Sequence, residues 1–109
     1  MAKLVERGIY EDIHALANRI QRGIVNSSIS ATMEDMNEMR GADAECIVMV
    51  FERYSYLGNN RVSMNVTLFQ ERGGPVQLTA ITSGGSQAMF FKINTFGEEA
   101  FLDKLREIL

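Results

Sequence analysis

The first strong pattern in the chain is an apolar stripe with helical spacing near the N-terminus. Its members recur at i, i+3, i+4, i+7 and i+11, the spacing of one buried helix face: Ile13, Leu16, Ala17, Ile20 and Ile24. The positions between them are mostly polar, and Asn26-Ser27-Ser28 ends the pattern. The stripe predicts an amphipathic helix, and residues 3–9 before it are predicted to form a short strand.

From Ser28 onward the period changes to two, which is typical of strands. Alternation over residues 28–34 predicts one strand, and the polar stretch 35–43 is expected to be a loop. Further strands are predicted from β-branched and aromatic residues and from turn residues at their ends. They cover residues 45–56, 61–70 and 76–82, and residues 87–93 are expected to resume the sheet.

The C-terminal segment again has helical periodicity. Thr95 and Glu98 fit a capping box, in which each side chain satisfies a free backbone N–H group of the other residue. The predicted order is therefore (β)-α-β-β-β-β-(β)-α. Helices at the two ends of a run of strands imply a single α+β domain over residues 1–109, with two layers and an antiparallel meander sheet.

The register of the central hairpin decides which side chains share a face. A three-residue turn over 58–60 would pair Tyr54 with Met64 and place both Tyr54 and Tyr56 on the core face. A two-residue turn would instead place Arg53 and Ser55 among the valines. We favour the three-residue turn because it buries fewer polar groups.

That register predicts an apolar surface on the second face of the sheet. Four residues would form it, and we predict them as an interface: Ile47, Met49, Phe51 and Phe69. An exposed apolar patch of this kind usually marks a partner or a ligand site. Self-association into a homodimer or larger homo-oligomer is the expected consequence.

Candidate chemistry is limited to an anion site. The loop Ser83-Gly84-Gly85-Ser86 has glycines and hydroxyls that could cradle an anion. The hairpin could add arginine and polar side chains on rigid strands. The predicted ligand-binding set is therefore Arg53, Ser55, Arg61, Asn65, Ser83, Gly84, Gly85 and Ser86.

Composition narrows the function classes further. The chain has 11 basic and 14 acidic residues and a net charge of −3, which argues against nucleic-acid binding. One cysteine, Cys46, allows no intrachain disulfide, and one histidine, His14, cannot build a histidine-based metal site. We predict no cofactor, metal or membrane partner. Charges interrupt the N-terminal segment, so no signal peptide is expected and the predicted location is cytoplasmic.

Two long stretches resemble a known family. They run from Glu52-Arg53-Tyr54-Ser55-Tyr56 to Val66-Thr67-Leu68, and from Ala80-Ile81-Thr82-Ser83-Gly84-Gly85-Ser86 to Phe96-Gly97-Glu98-Glu99. They are similar to a family of small bacterial proteins known only as a domain of unknown function. The resemblance implies a stand-alone bacterial cytoplasmic protein of about this length. It supplies no activity, cofactor or catalytic residue.

Two functions remain open from the sequence. The favoured one is a non-enzymatic binding or assembly module that self-associates through its sheet. The alternative is a binder of a small, anionic ligand, or an enzyme, with a pocket between sheet and helices as in helix-grip folds. Tyr54, Tyr56 and Arg53 would line that pocket. The chain contains no recognisable catalytic set.

Overall fold

The computed structural model describes residues 1–55, 60–84 and 91–109, with the backbone alone for 91–96. Its elements follow the order β-α-β-β-β-β-α. They are β1 (Ala2–Ile9), α1 (Ile13–Val25), β2 (Thr32–Arg40), β3 (Ala44–Ser55), β4 (Asn60–Glu71), β5 (Val76–Gly84) and α2 (Phe91–Ile108). The α+β class and the two terminal helices are confirmed.

The five strands form one antiparallel sheet in the order β1-β5-β4-β3-β2. Strands β2 to β5 are the predicted meander, and β1 joins its far edge beside β5. Both helices pack on one side of the sheet, where they form the core with the inward-facing strand residues. We call that side, which carries Phe51, Met64 and Leu78, the helix face. The other side, which carries Val48, Phe69 and Ile81, is the open face.

Helix α1 forms as the apolar stripe predicts. All five stripe residues are buried, and the carboxylate of Asp12 accepts hydrogen bonds from the backbone N–H groups of His14 and Ala15. Asp12 is therefore the N-cap, and it satisfies two of the N–H groups that a helix start leaves without partners. The last turn ends at Asn26, within the predicted stop signal.

The favoured hairpin register is wrong. Arg53 pairs with Val62 and Phe51 pairs with Met64, so Arg53 and Ser55 share the helix face with the valines of β4. Tyr54 pairs with Arg61 on the open face, whereas Tyr56 lies outside the described residues. The observed phase is the one expected from the two-residue turn. The alternation of β3 places Met49 and Phe51 in the core. The gain from burying these large apolar side chains outweighs the cost of placing Arg53 on the same face.

The predicted loop over residues 35–43 is also wrong, since Asp35–Arg40 belongs to β2. The register of β2 against β3 shifts between Met33 and Asp35. This bulge resets the alternation, so that Met33 and Met36 both lie on the helix face although they are three residues apart. Because the bulge interrupts the alternation of apolar and polar residues and many positions are charged, the sequence of this strand resembles that of a loop.

Helix α2 begins at Phe91, four residues before the predicted N-cap Thr95. Residues 91–93 are therefore helical and do not resume the sheet; residues 87–90 lie outside the described residues. The C-terminal segment is helical, as its periodicity predicts, and Phe101, Leu102 and Leu105 are fully buried. Near the start of the described side chains, Gly97 brings the helix backbone close to β3.

Candidate functional site

The residues predicted to bind an anion do not form one site. Arg53, Ser55 and Gly84 lie on the helix face, because Arg53 and Gly84 both pair with Val62. The other described members lie on the open face: Arg61, Asn65 and Ser83. Gly85 and Ser86 lie outside the described residues. The sheet therefore lies between the two arginines, and among the described members only Ser55 and Gly84 share a face with Arg53.

Three of the four residues predicted as an interface belong to the core. Ile47, Met49 and Phe51 are fully buried on the helix face, beneath the helices. Phe69 alone lies on the open face, where it pairs with Cys46 and Gln77. The correction follows from the register: a shift of phase exchanges the two faces of a strand.

A cleft opens on the helix face where the end of β3 meets α2. It has a volume of about 260 Å³, and residues from three segments line it, among them Ser28, Ser30, Arg53, Ser55 and Gly97. The guanidinium of Arg53 stacks over the ring of Phe101, with 4.8 Å between Cζ and the ring centroid. Burial lowers the pKa of Arg53, although an arginine remains protonated at neutral pH.

Helix α2 approaches the sheet closely beside this cleft. A Cβ atom on residue 97 would lie 2.6 Å from Ser55 Oγ and 3.3 Å from Ser55 Cβ, so the contact requires glycine. On the other side of the cleft, the N–H of Tyr54 donates to Ser30 Oγ at 3.1 Å. Ser28 Oγ lies 3.5 Å from the same oxygen. The shape of the cleft therefore depends on the α1–β2 connection, β3 and α2 together.

Another cleft, of about 320 Å³, lies between the β2–β3 and β4–β5 connections. It is rich in charge, but its arginines have carboxylates near them. Arg40 Nε lies 3.9 Å from Glu45 Oε1, and Arg72 Nε lies 4.0 Å from Asp43 Oδ1. Each of the two arginines in this cleft therefore has a carboxylate within 4.0 Å, and Glu71 adds a third acidic residue to the lining.

The open face has an uncharged centre. Within residues 1–55, 60–84 and 91–109, neither helix packs on it. The side chains in its middle are apolar or neutral polar: Cys46, Val48, Val50, Ser63, Asn65, Thr67, Phe69, Gln77, Thr79, Ile81 and Ser83. Ile81 is 39% exposed and Val5, on the neighbouring strand, is 42% exposed. The uncharged centre covers the three inner strands, and Lys3 and Asp35 flank it on the two edge strands, where they pair with Ile81 and Val50.

The polar groups on the open face are largely paired with one another. Ser63 Oγ and Ser83 Oγ lie 2.9 Å apart, and Thr67 Oγ1 donates to Asn65 Oδ1 at 3.0 Å. At the end of the face, Arg61 Nε donates to Glu52 Oε1 at 2.8 Å. Gln77 and Thr79, on the same face, make no side-chain hydrogen bond to a described residue, so a partner that covers them would have to supply one.

Sequence reasoning missed the partner of His14. His14 lies on the polar side of α1, and its Nε2 lies 2.6 Å from Glu45 Oε2, on β3. No local pattern could reveal a contact across 31 positions of sequence. In the described part of the chain, no group of histidine, cysteine and acidic residues could hold a metal ion.

The fold and these surfaces define a small α+β domain with a cationic cleft on one side of its sheet and an uncharged open face on the other. The chain belongs to a family of unknown function, DUF6054, which matches residues 1–109. No curated protein and no solved structure matches the chain. Among the described residues, no helix is both long and apolar enough to cross a membrane.

Proposed function

We propose that the protein is a non-enzymatic assembly module that forms a homodimer through its open face. The observation that carries the proposal is the uncharged centre of that face, described above. Depletion of charge, with apolar and aromatic residues at the centre, is the compositional signature of a protein–protein interface. The proposed partner is a second copy of this chain, and the net charge of −3 disfavours nucleic acid.

The size of the open face suits a dimer. Five strands spaced about 4.8 Å apart and up to twelve residues long, at about 3.3 Å per residue, span roughly 19 by 40 Å. That gives roughly 760 Å², close to the area of about 800 Å² that each partner buries in a specific complex. Two such faces can pack on each other about a twofold axis, as in most homodimers.

Association through the sheet edges is disfavoured. The edge strands are β1 and β2, and each has a shift of register that interrupts regular pairing. β2 also carries Glu34, Asp35, Glu38 and Arg40. Bulges and charges of this kind protect edges from pairing with another chain. Face-to-face packing is therefore the favoured geometry.

A bacterial cytoplasmic setting is part of the proposal. The sequence resemblance described above implies such a protein. The single cysteine suits a reducing compartment, where disulfides are rare.

Sedimentation velocity on the Val48→Lys variant tests the proposal. Val48 lies near the centre of the open face, between Asn37 and Thr67. At micromolar concentrations, we expect the wild-type protein to sediment with twice the chain mass of 12.2 kDa. Val48→Lys should sediment as a monomer, because a dimer would bury two unpaired ammonium groups.

The matched control is Asn18→Lys, which adds the same charge to the exposed side of α1. This variant should remain dimeric, and circular dichroism should show native secondary structure in both variants. A wild-type monomer at all concentrations would refute the proposal. So would a folded Val48→Lys variant that dimerises as strongly as the wild type.

A further inference from the structure

Arg53 is a half-buried cation that has no acidic partner in the described part of the chain. Arg19, the other half-buried arginine, shows the usual arrangement: its Nη2 lies 3.0 and 2.7 Å from the two carboxylate oxygens of Glu11. The guanidinium of Arg53 lies over the ring of Phe101, on α2, and Arg53 forms no salt bridge with another described residue. A charge withdrawn from water is costly unless a counter-charge or hydrogen bonds compensate for it.

The contact with Phe101 leaves the directional hydrogen-bonding capacity of Arg53 unused. The attraction between a cation and the face of an aromatic ring uses the charge of the guanidinium and not the directional capacity of its five N–H donors. Arg53 makes no hydrogen bond to any other described residue, in contrast to Arg19 and Arg61. The contact with the ring therefore compensates part of the charge and leaves the N–H donors for an acceptor from outside.

The cleft around Arg53 has a mostly apolar lining, which includes Ile29 and Ala100, and a few polar groups beside the cation. Its volume of about 260 Å³ lies just below the range of roughly 300–1,000 Å³ that is typical of ligand pockets, so a small ligand fits. The hydroxyls of Ser28 and Ser30 lie on one wall, and Gly97 on the other brings no side chain into the space. Ser30 Oγ accepts a hydrogen bond from Tyr54 N–H, and its own O–H can donate.

We infer that this cleft binds the oxyanion group of a small ligand, a carboxylate or a phosphate, with Arg53 as the charged donor. A guanidinium forms paired, parallel hydrogen bonds to such groups, and these are stronger than bonds between neutral groups. The hydroxyls of Ser28 and Ser30 supply further contacts. The inference does not depend on dimerisation, since the cleft lies on the helix face and the proposed interface on the open face.

Nuclear magnetic resonance titration tests the inference. The ¹⁵N-labelled protein is titrated separately with sodium phosphate and sodium acetate, at an ionic strength held constant with sodium chloride. We expect saturable shifts of the Arg53 Nε–H signal and of the backbone amides of Ser30 and Gly97 with at least one of the two anions. The anion that binds more tightly identifies the chemistry of the ligand group.

Arg53→Gln is the decisive variant and Arg61→Gln its matched control. Both remove one positive charge from the hairpin, but Arg61 lies on the open face beside Glu52. Arg53→Gln should weaken binding by about tenfold or more, the loss typical of a charge-assisted hydrogen bond, and Arg61→Gln should change it by less than about twofold. Arg53→Lys, which keeps the charge without the planar fork, should bind with intermediate affinity.

The inference fails if neither anion causes saturable shifts beyond those of chloride. It also fails if Arg53→Gln and Arg61→Gln weaken binding equally, because the effect would then come from net charge alone. If Arg53→Gln does not fold, Arg53→Lys carries the comparison, and binding of that variant with wild-type affinity would contradict the assigned role of the planar fork.

Discussion

Two phenylalanines of the β3–β4 hairpin have opposite environments. Phe51 is fully buried on the helix face, whereas Phe69 lies half-buried on the open face. The two residues are chemically identical, so the difference in environment alone should decide what each contributes. Phe51 should stabilise the folded chain, and Phe69 should stabilise the proposed dimer.

Replacement of each phenylalanine by alanine separates these contributions. Phe51→Ala should lower the free energy of unfolding by about 3–5 kcal/mol, because it leaves a cavity in the core. Phe69→Ala should lower it much less and should weaken self-association. Urea denaturation at one low protein concentration, with sedimentation of the same samples, measures both effects. An equal loss of stability in the two variants would contradict the assigned faces.

Arg53 and Ser55 explain why the hairpin register could not be predicted from the sequence. The rule that polar residues avoid the core favoured the other phase. In the structure, Arg53 lies where the helix face opens into a cleft, so its guanidinium stays half exposed. Ser55 fits beneath Gly97, which has no side chain to exclude it. Arg53 and Ser55 can both lie on the helix face only because of their contacts with α2, which is some forty residues away in sequence.

At the scale of elements, regular periods were predictable and interruptions were not. Helix α1 matches its apolar stripe because each of the five stripe positions contacts the core. Strand β2 was predicted in part as a loop because its bulge places Met33 and Met36 on the same face. The capping box at Thr95 matched a sequence pattern, but α2 begins one turn earlier. Local signals locate elements better than they locate their ends.

The contact between α2 and β3 can be tested with two glycine substitutions in helices. Gly97→Ala places a Cβ atom 2.6 Å from Ser55 Oγ and 3.3 Å from Ser55 Cβ, at a position of β3 that is paired with Asn60 of β4. The overpacking should cost about 1–3 kcal/mol, more than the gain in helix propensity of up to about 1 kcal/mol. We therefore expect a lower midpoint of urea denaturation.

Gly23→Ala is the control in α1. Its Cβ atom would lie 2.5 Å from Cδ1 and 2.6 Å from Cγ1 of Ile108, whose side chain lies near the end of α2. Rotation of that side chain relieves the contact, so the gain in helix propensity should leave the midpoint unchanged or raise it slightly. A Gly97→Ala variant as stable as Gly23→Ala would show that α2 does not approach β3 as closely as described.

At the scale of the whole molecule, the domain has two layers, one of helices and one of strands. Both helices cover the helix face, and in the described part of the chain no element covers the open face. The α+β class could be predicted from the order of helical and strand-like spacing of the apolar residues along the sequence. Which residues lie on which face of the sheet could not be predicted, because that depends on the register of the β3–β4 hairpin. The apolar surface was expected, but different residues form it, with Phe69 as the one common member.

The most direct test of the account asks which residues touch across the proposed dimer. In an equimolar mixture of ¹³C-labelled and unlabelled protein, isotope-filtered nuclear Overhauser spectroscopy detects contacts between chains only. We predict cross-peaks between the methyl groups of Val48, Val50 and Ile81 in one copy and aromatic protons of Phe69 in the other. Intermolecular contacts confined to α1 or α2, or none in a sample that sediments as a dimer, would contradict association through the open face.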